Sequence, residues 1–389
     1  MKNIFLLMKY YLDPQTKPFP KFDYQISALR SMGYNVYFLG IDGNKILLCH
    51  EGKQEVIYKM NFSQIPIIST ILTYDILYKA TNKVFQKYNF DLAYIRYMPM
   101  SFSYSKALET IKGTNCKIVI EIPTYPIHKE LETEKRIFRK WYFKKSNNFF
   151  IENSSKVDLF AVIGDNTTSF AKRPAINIEN GIVLKNIPLR RPNKSFEEIH
   201  ILALANMAWW HGYDRLIKGL KQYKDNGGKK KVVLHFVGPD GDGSLQKWRK
   251  LSKEYKLEEN VIFDGPKYGE DLNWYFNNCH VAIGSIGMHR KTFSSTSELK
   301  VREYMARGLP FVLSVNDQSI DEYLGFYLKI PNNDTPVDIE LIIKFVFNIE
   351  KKYNLHRKMR EFASEKMTWE KQFEKIFLHL KSIENTNQI

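Results

Sequence analysis

Residues 294–314 read SSTSELKVREYMARGLPFVLS, a charged helical pattern that stops at Gly308 and runs straight into an apolar strand. A switch from helical spacing to a short apolar run across one glycine is what a helix feeding a buried strand leaves in a sequence. Ser295 and Glu298 have the S-x-x-E spacing of a capping box. Glu298 with Arg302, and Glu303 with Arg307, stand four apart and can pair on a helix surface. Such pairings account for the charges without any ligand. The functional reading is that Glu303, early in a helix whose start faces a cleft, offers its two carboxylate oxygens to a vicinal diol such as a ribose. Lys300, one turn earlier, and the free helix amides would then meet a diphosphate.

The same alternation continues outward. Upstream lie strand IHILALAN (199–206), helix YDRLIKGLKQYKDNG, strand KVVLHFVG, helix SLQKWRKLSKEY, strand NVIFDG, helix GEDLNWYFNNC and strand HVAIGS. Apolar strands without polar alternation are buried on both faces, so this half reads as a doubly wound α/β domain. The first half shows strands NIFLLM (3–8), YNVYFLG (34–40), LAYIR (92–96), CKIVIEIP (116–123) and LFAVIG (159–164), with FDYQISALRSMG as an amphipathic helix between the first two. Prolines and polar residues in NIPLRRPNKSFEE (186–198) mark the boundary. The expectation is two Rossmann-like domains facing a central cleft: residues 1–190 binding an acceptor and 191–367 binding a donor. A terminal helix over 368–389 could pack back on the first domain.

The 389 residues exceed one typical core, which agrees with two domains. Formal charge is +16, favouring an anionic partner. No apolar run approaches the ~20 residues that span a bilayer, and the start MKNIFLLMKYYLDP is interrupted too soon for a secretion signal. Cys49, Cys116 and Cys279 lie far apart without metal or redox spacing, so a cytoplasmic location is expected. No G-x-G-x-x-G or G-x-x-x-x-G-K-[ST] occurs, which argues against hydride transfer or ATP hydrolysis. The glycines 238, 241 and 243 of VGPDGDG are a weak phosphate-loop signal.

EYMARGLPFV (303–312) resembles the E-x-x-A-x-G-x-P-x-V signature of family 4 glycosyltransferases, two-domain enzymes of the GT-B fold. IENGIVLKNIP (178–188), WHGYDRLIKGL (210–220) and LHFVGPDGDG (234–243) resemble further segments of that family in the same order, more strongly in the C-terminal half. The resemblance implies transfer of a sugar from a nucleoside diphosphate donor, with retention at the anomeric carbon, to a hydroxyl of a glycan, as in bacterial capsular and surface polysaccharide synthesis. Glu303 resembles the second glutamate of the family's E-x7-E motif. The first falls at Ser295, which cannot supply a negative charge, leaving Glu298 or the loop GSIGMHRKTFS (284–294) to meet the donor sugar. Asn206 and His211 stand where the family carries its Arg and Lys diphosphate clamp, so Lys300, Arg215, His289 and Arg290 are the cations left. Some cation is needed because the leaving diphosphate gains charge as the glycosidic bond breaks. Donor candidates are therefore Asn206, Arg215, Gly238, His289, Arg290, Ser295, Glu298 and Glu303, with His211 and Lys300 acting in catalysis.

In the first half, VIEIPTYPIHKE (119–130) leaves a buried strand through two prolines and resembles a segment of polysaccharide-making members. Glu121 is a candidate base or acceptor orienter; Thr124, Tyr125 and His128 are acceptor candidates. Arg96, at the end of another strand, can meet a phosphate. For these residues a strand-end hydrogen bond or an ion pair is the plainer alternative. EKRIFRKWYFKKSNNFF (134–150) mixes Arg136, Arg139, Lys140 and Lys144 with Trp141, a composition suited to an anionic bilayer surface or to a helix whose aromatics pack inward. A peripheral position on the inner face of the cell membrane and a lipid-linked glycan acceptor follow from the membrane reading. No nucleic-acid module accompanies the stretch. No D-x-D reads as a strand-end metal cradle, so neither metal nor cofactor is required. The alternatives are a nucleotide-sugar epimerase or hydrolase of the same shape, and a non-catalytic basic protein binding membrane or nucleic acid on a transferase scaffold.

Overall fold

The computed structural model describes residues 2–13, 21–60, 66–99, 101–127, 137–185 and 187–386, and the backbone alone at 66–70, 102, 138, 139 and 386. The chain divides into two units, Met1–Gly181 with Trp369–Ile389, and Ile182–Thr368. Both are Rossmann-like α/β units.

Unit 1 is built from β1 (Asn3–Leu7), α1 (Lys21–Ser31), β2 (Asn35–Asp42), β3 (Lys45–His50), β4 (Lys53–Lys59), α2 (Pro66–Lys87), β5 (Leu92–Arg96), α3 (Phe102–Lys112), β6 (Lys117–Tyr125), α4 (Ile137–Glu152), β7 (Leu159–Gly164), β8 (Ser169–Phe170) and β9 (Arg173–Asn177). Its sheet runs β4-β3-β2-β1-β5-β6-β7-β9-β8, with β2, β1, β5, β6, β7 and β9 parallel. Successive strand side chains point to opposite faces, so one apolar run fills two cores. Phe5, Leu7, Ile95 and Ile120 pack with Leu77, Val84, Leu108 and Ile111 of α2 and α3. Ile4, Leu6, Tyr94 and Val119 pack with Ile26 and Leu29 of α1 and with Trp369, Phe373 and Ile376.

In unit 2 follow β10 (Glu198–Leu204), α5 (Asp214–Asp225), β11 (Lys231–Val237), α6 (Ser244–Glu254), β12 (Val261–Gly265), α7 (Asp271–Asn278), β13 (Val281–Ile283), β14 (Ser295–Thr296), α8 (Leu299–Arg307), β15 (Phe311–Leu313), β16 (Asn316–Asp317), β17 (Tyr327–Lys329), α9 (Ile339–Glu350) and α10 (Leu355–Lys366). Helix α11 (Trp369–Thr386) belongs to unit 1. The parallel sheet of unit 2 runs β12-β11-β10-β13-β15-β17. Its order reverses between β10 and β13. That reversal opens a crevice at the carboxyl ends of these two strands, the usual ligand position in such sheets.

The quoted stretch folds with one correction. The helix begins at Leu299 with Glu298 at its N-cap position, and Ser295 lies outside it in β14, paired with Asn316 of β16. The expected capping box does not form. Arg302 turns away from Glu298 and pairs with Asp317 at 2.7 Å, both side chains fully buried. The hairpins β2-β3 and β3-β4 were also absent from the sequence reading. Glu51 and Gly52 both take positive φ, the geometry of a two-residue hairpin turn, so Gly-Asn at 43–44 and Glu-Gly at 51–52 are the available signals.

Candidate functional site

In unit 2 the loops leaving β10 and β13 cross closely. Gly212 has φ +72°, and a Cβ there would stand 2.6 Å from the amide nitrogen of Gly287, so backbone meets backbone at this point. Ile286 N–H donates to the His211 carbonyl at 2.9 Å. Arg215, 1 % exposed, donates to the carbonyls of Thr335 (2.7 Å), Pro331 (3.0 Å) and Ile286. Its guanidinium fastens these loops and is not free for a donor phosphate. Arg290 is committed in the same way, donating to Asp214 (2.9 and 3.0 Å), Asp334 (2.9 and 2.6 Å) and the Trp209 carbonyl. Burial works against the Asp214 carboxylate, but its bonds from Arg290 hold its pKa below the ordinary value. His289 Nε2 lies 3.0 Å from Asp334 without hydrogen-bond alignment. Arg215 and Arg290 thus build the crevice wall in place of the donor contacts expected of them.

Beside them stand His211, Lys300 and Glu298. His211, buried, accepts the Ala208 amide on Nδ1 at 3.1 Å, which puts its proton on Nε2. Burial, then the nearby Lys300 charge, push its pKa well below the usual range, so the ring is neutral and offers one N–H. No acceptor for that N–H occurs among the described residues. Lys300 donates to Tyr213 Oη (2.9 Å) and lies 3.1 Å from Glu298 Oε2, leaving one of its three protons for a ligand. Burial lowers its pKa, with Glu298 opposing. Glu298 accepts from Ser285 N–H (3.1 Å to each oxygen), Ser285 Oγ (2.8 Å) and Thr296 Oγ1 (3.3 Å). Its lone pairs are spent on holding Ser285 and Lys300, so it does not take over the donor-sugar contact.

Glu303 differs. Its Oε1 accepts from Arg307 Nε at 2.9 Å, and Arg307 is fixed by Asn273 (2.7 Å) and lies 4.3 Å from the Phe276 ring centroid. Oε2 has no protein partner among the described residues, and the side chain is 24 % exposed. A carboxylate oriented from one side and open on the other is what a diol contact needs. Asn206 is exposed, and the close approach of Gly241 to its Oδ1 ties the loops after β10 and β11. Gly238, at φ +137°, passes against the Ala205 carbonyl. Asp240 and Asp242 do spell D-x-D after β11, but Asp240 accepts the Gly243 amide (2.8 Å) and Asp242 accepts those of Ser244 (3.1 Å) and Trp209 (3.0 Å). Among the described residues no group of His, Cys, Asp and Glu is placed to hold a metal ion.

In unit 1 the parallel register sets Arg96 beside Glu121. Glu121 is fully buried and accepts from Lys21 (2.9 Å), Gln25 (2.6 Å), Tyr94 (2.7 Å) and Arg96 (3.1 Å). Burial alone would raise its pKa, but the charges of Lys21 and Arg96 and these bonds bring it down to about 2. A carboxylate so acidic is a poor base, so the proton-accepting role expected of Glu121 gives way to an anchoring one. Thr124 and Tyr125 lie further along β6, with Tyr125 edge-on to Phe170. His128 and Arg136 lie outside the described residues, and Arg139 is described only in its backbone. Lys21, Gln25, Tyr94, Tyr213 and Asn273 escaped the sequence reading. One signal existed for Lys21: a cation as the first residue of α1 runs against the helix dipole and needs a reason.

Helix α4 has an inner and an outer face. Phe149 and Phe150 face the core, whereas Ile137 (82 % exposed), Trp141 (61 %) and Ile151 (49 %) share an outer face with exposed Lys140, Lys144 and Lys145. No helix among the described residues is long and apolar enough to cross a membrane.

A family model described as glycosyl transferases group 1 matches residues 198–339, inside unit 2. No curated protein matches the chain by sequence. Among solved structures, sucrose-phosphate synthase from Thermosynechococcus elongatus is similar at 15 % identity and TM-score 0.65, covering 98 % of this chain and 100 % of that one. HepE from Anabaena, solved with UDP and also with UDP and glucose, is 14 % identical at TM-score 0.60 over 98 % and 100 %. WaaG, a glycosyltransferase involved in lipopolysaccharide biosynthesis, is 13 % identical at TM-score 0.63 over 96 % and 98 %. These likenesses establish the fold: the chain is built from two Rossmann-like units of the GT-B type.

Proposed function

We propose that the protein is a glycosyltransferase that moves a sugar from a nucleoside diphosphate donor to a hydroxyl of a glycan acceptor, with retention, in the building of a surface polysaccharide. The observation that carries the reading is Glu303, held on Oε1 by Arg307 and open on Oε2, inside the segment matched by the group 1 model. In this reading Glu303 takes the ribose hydroxyls of the donor. The proton of Lys300 and the neutral Nε2–H of His211 meet the diphosphate. As the bond from the anomeric carbon to the diphosphate oxygen breaks, negative charge builds on the leaving group, and these two fixed donors stabilise that change. The leaving phosphate oxygen takes the acceptor proton, so no protein base is needed and Glu121 is not called on. Unit 2 is the donor domain and unit 1 the acceptor domain.

The outer face of α4 supports a peripheral place on an anionic membrane, where Trp141 and Ile137 enter the headgroup region and the lysines meet phosphates. A lipid-linked acceptor and a cytoplasmic-side location go with it. A panel of nucleoside diphosphates titrated calorimetrically, followed by mass analysis of products from labelled donor and lipid extract, tests the reading. A nucleotide that binds and a glycolipid heavier by one sugar are expected. No binding of any nucleotide, or free sugar as the sole product, refutes it.

A further inference from the structure

Among the described residues, the cluster around Glu121 holds more positive than negative charge. Lys21 and Arg96 both meet the same Oε1, and among the described residues neither meets a second carboxylate. Lys21 also donates to Asn180 Oδ1 at 2.7 Å and lies 5.1 Å from the Trp369 ring centroid. Arg96 lies 5.2 Å from that of Phe22 and uses one nitrogen, leaving Nε and Nη2 without an acceptor among the described residues. Its side chain is 27 % exposed, so these nitrogens can be reached from outside. Gln25, fully buried, gives its Nε2 to Glu121 while its Oε1 has no partner among the described residues. A net positive charge in a buried cluster, with unfilled guanidinium donors at its rim, is costly unless an anion completes it.

We infer that Lys21 and Arg96, set by Glu121 of β6 beside the last residue of β5, form an oxyanion subsite that takes a phosphate or carboxylate group borne by the acceptor glycan. The inference rests on the acceptor role proposed for unit 1 and narrows it to acidic acceptors. Arg96 presents a planar pair of donors to two oxygens of the anion, as guanidinium groups do with carboxylates and phosphates. Glu121 keeps the two cations apart and fixes their directions. It does not itself touch the acceptor.

The test uses the full chain saturated with whichever of UDP, ADP or GDP binds, so that the donor site cannot take the probe. Glucose 6-phosphate, glucuronate and glucose are titrated separately. One or both acidic sugars should bind and glucose should not, and comparison of the two acidic probes tells a phosphate site from a carboxylate site. Arg96→Gln should weaken the acidic sugar about tenfold or more, the scale of a lost charge-assisted bond. Arg30→Gln, an exposed cation on α1, should leave it unchanged. Equal binding of glucose, no binding of either acidic sugar, or an unaffected Arg96→Gln variant overturns the inference. If Arg96→Gln does not fold, acylation of Lys21 in the wild-type chain decides, since an acidic sugar should slow it relative to Lys140 and a failure to do so overturns the subsite. Nucleotide binding in the same titration reports on the donor reading independently, so the two cannot fail unnoticed together.

Discussion

Glu298 in unit 2, mostly buried, and Glu121 in unit 1, fully buried, are both carboxylates ringed by donors, yet their surroundings differ. Glu298 is met by one cation, Lys300, and by hydroxyl and amide donors from Ser285. Glu121 is met by two cations, an excess of positive charge among the described residues. Around Glu298 the other charges are matched too, Arg302 with Asp317 and Arg290 with Asp214 and Asp334. Matched charges are scaffold. The groups left open among the described residues, Oε2 of Glu303, Nε2–H of His211, the third proton of Lys300 and the outer nitrogens of Arg96, are where a ligand has something to add.

Removing a matched partner gives the largest expected effect. Asp317→Ala leaves the Arg302 guanidinium, 0 % exposed, without its carboxylate, and should cost about 3–5 kcal/mol in urea unfolding of the full chain. Replacing both partners by apolar residues should recover most of that loss. A single variant within 1 kcal/mol of wild type would break the division into scaffold and open groups.

Glu121 sharpens the comparison through pH. Its folded pKa of about 2 lies below the ordinary 4.5, so the folded state binds fewer protons than the unfolded state between those values. The resulting stabilisation, on the order of 3 kcal/mol, is present above pH 4.5 and is lost as pH falls toward 2. Lys21, lowered by burial to about 8, acts in a separate window and makes stability rise as pH goes from 8 to 10.5. Urea midpoints measured from pH 2.5 to 5 should fall steeply toward acid for the wild type and more shallowly for Glu121→Gln. Parallel curves would remove Glu121 from the anchoring role.

Glu303→Ala separates ligand contact from scaffold. Loss of the open carboxylate should weaken nucleotide binding by about 1.5–3 kcal/mol, roughly ten- to a hundred-fold in Kd. Arg307 is buried but keeps its bond to Asn273 and its place on the Phe276 ring, so the stability cost should be about 1 kcal/mol, well below that of Asp317→Ala. Calorimetry beside urea unfolding distinguishes the two. A large stability loss with unchanged nucleotide affinity would return Glu303 to the scaffold.

How much of this could be read in advance depends on the range of the contact. The strands of both units were legible because burial on two faces leaves apolar runs such as IHILALAN and LAYIR. The Glu303 to Arg307 pair was legible because four residues is one helical step. The cap was misread because Ser295 is drawn into a bridge with Asn316, and Arg302 into a pair with Asp317, contacts 21 and 15 residues away that no helical spacing encodes. The cluster of Lys21, Arg96 and Glu121 joins positions up to 100 residues apart through strand register, so single residues could be suspected but their shared charge could not. Arg215 and Arg290 looked free for the same reason: their carbonyl and carboxylate partners come from distant loops.

The smallest effect concerns the outer face of α4, where open groups lie on a convex surface and meet bulk solvent. A lysine near an anionic surface is worth about 1 kcal/mol, so Lys144→Glu should lower partition onto phosphatidylserine-containing vesicles by several-fold and lose that difference in high salt. Trp141→Ala should lower it by an amount that salt does not change, because ring burial at the headgroup level is not a Coulomb term. The two variants therefore separate charge from burial on one helix face. If sedimentation shows no partition of the wild type at low salt, or if both variants bind as the wild type does, the exposed tryptophan and its lysines do not form a membrane contact.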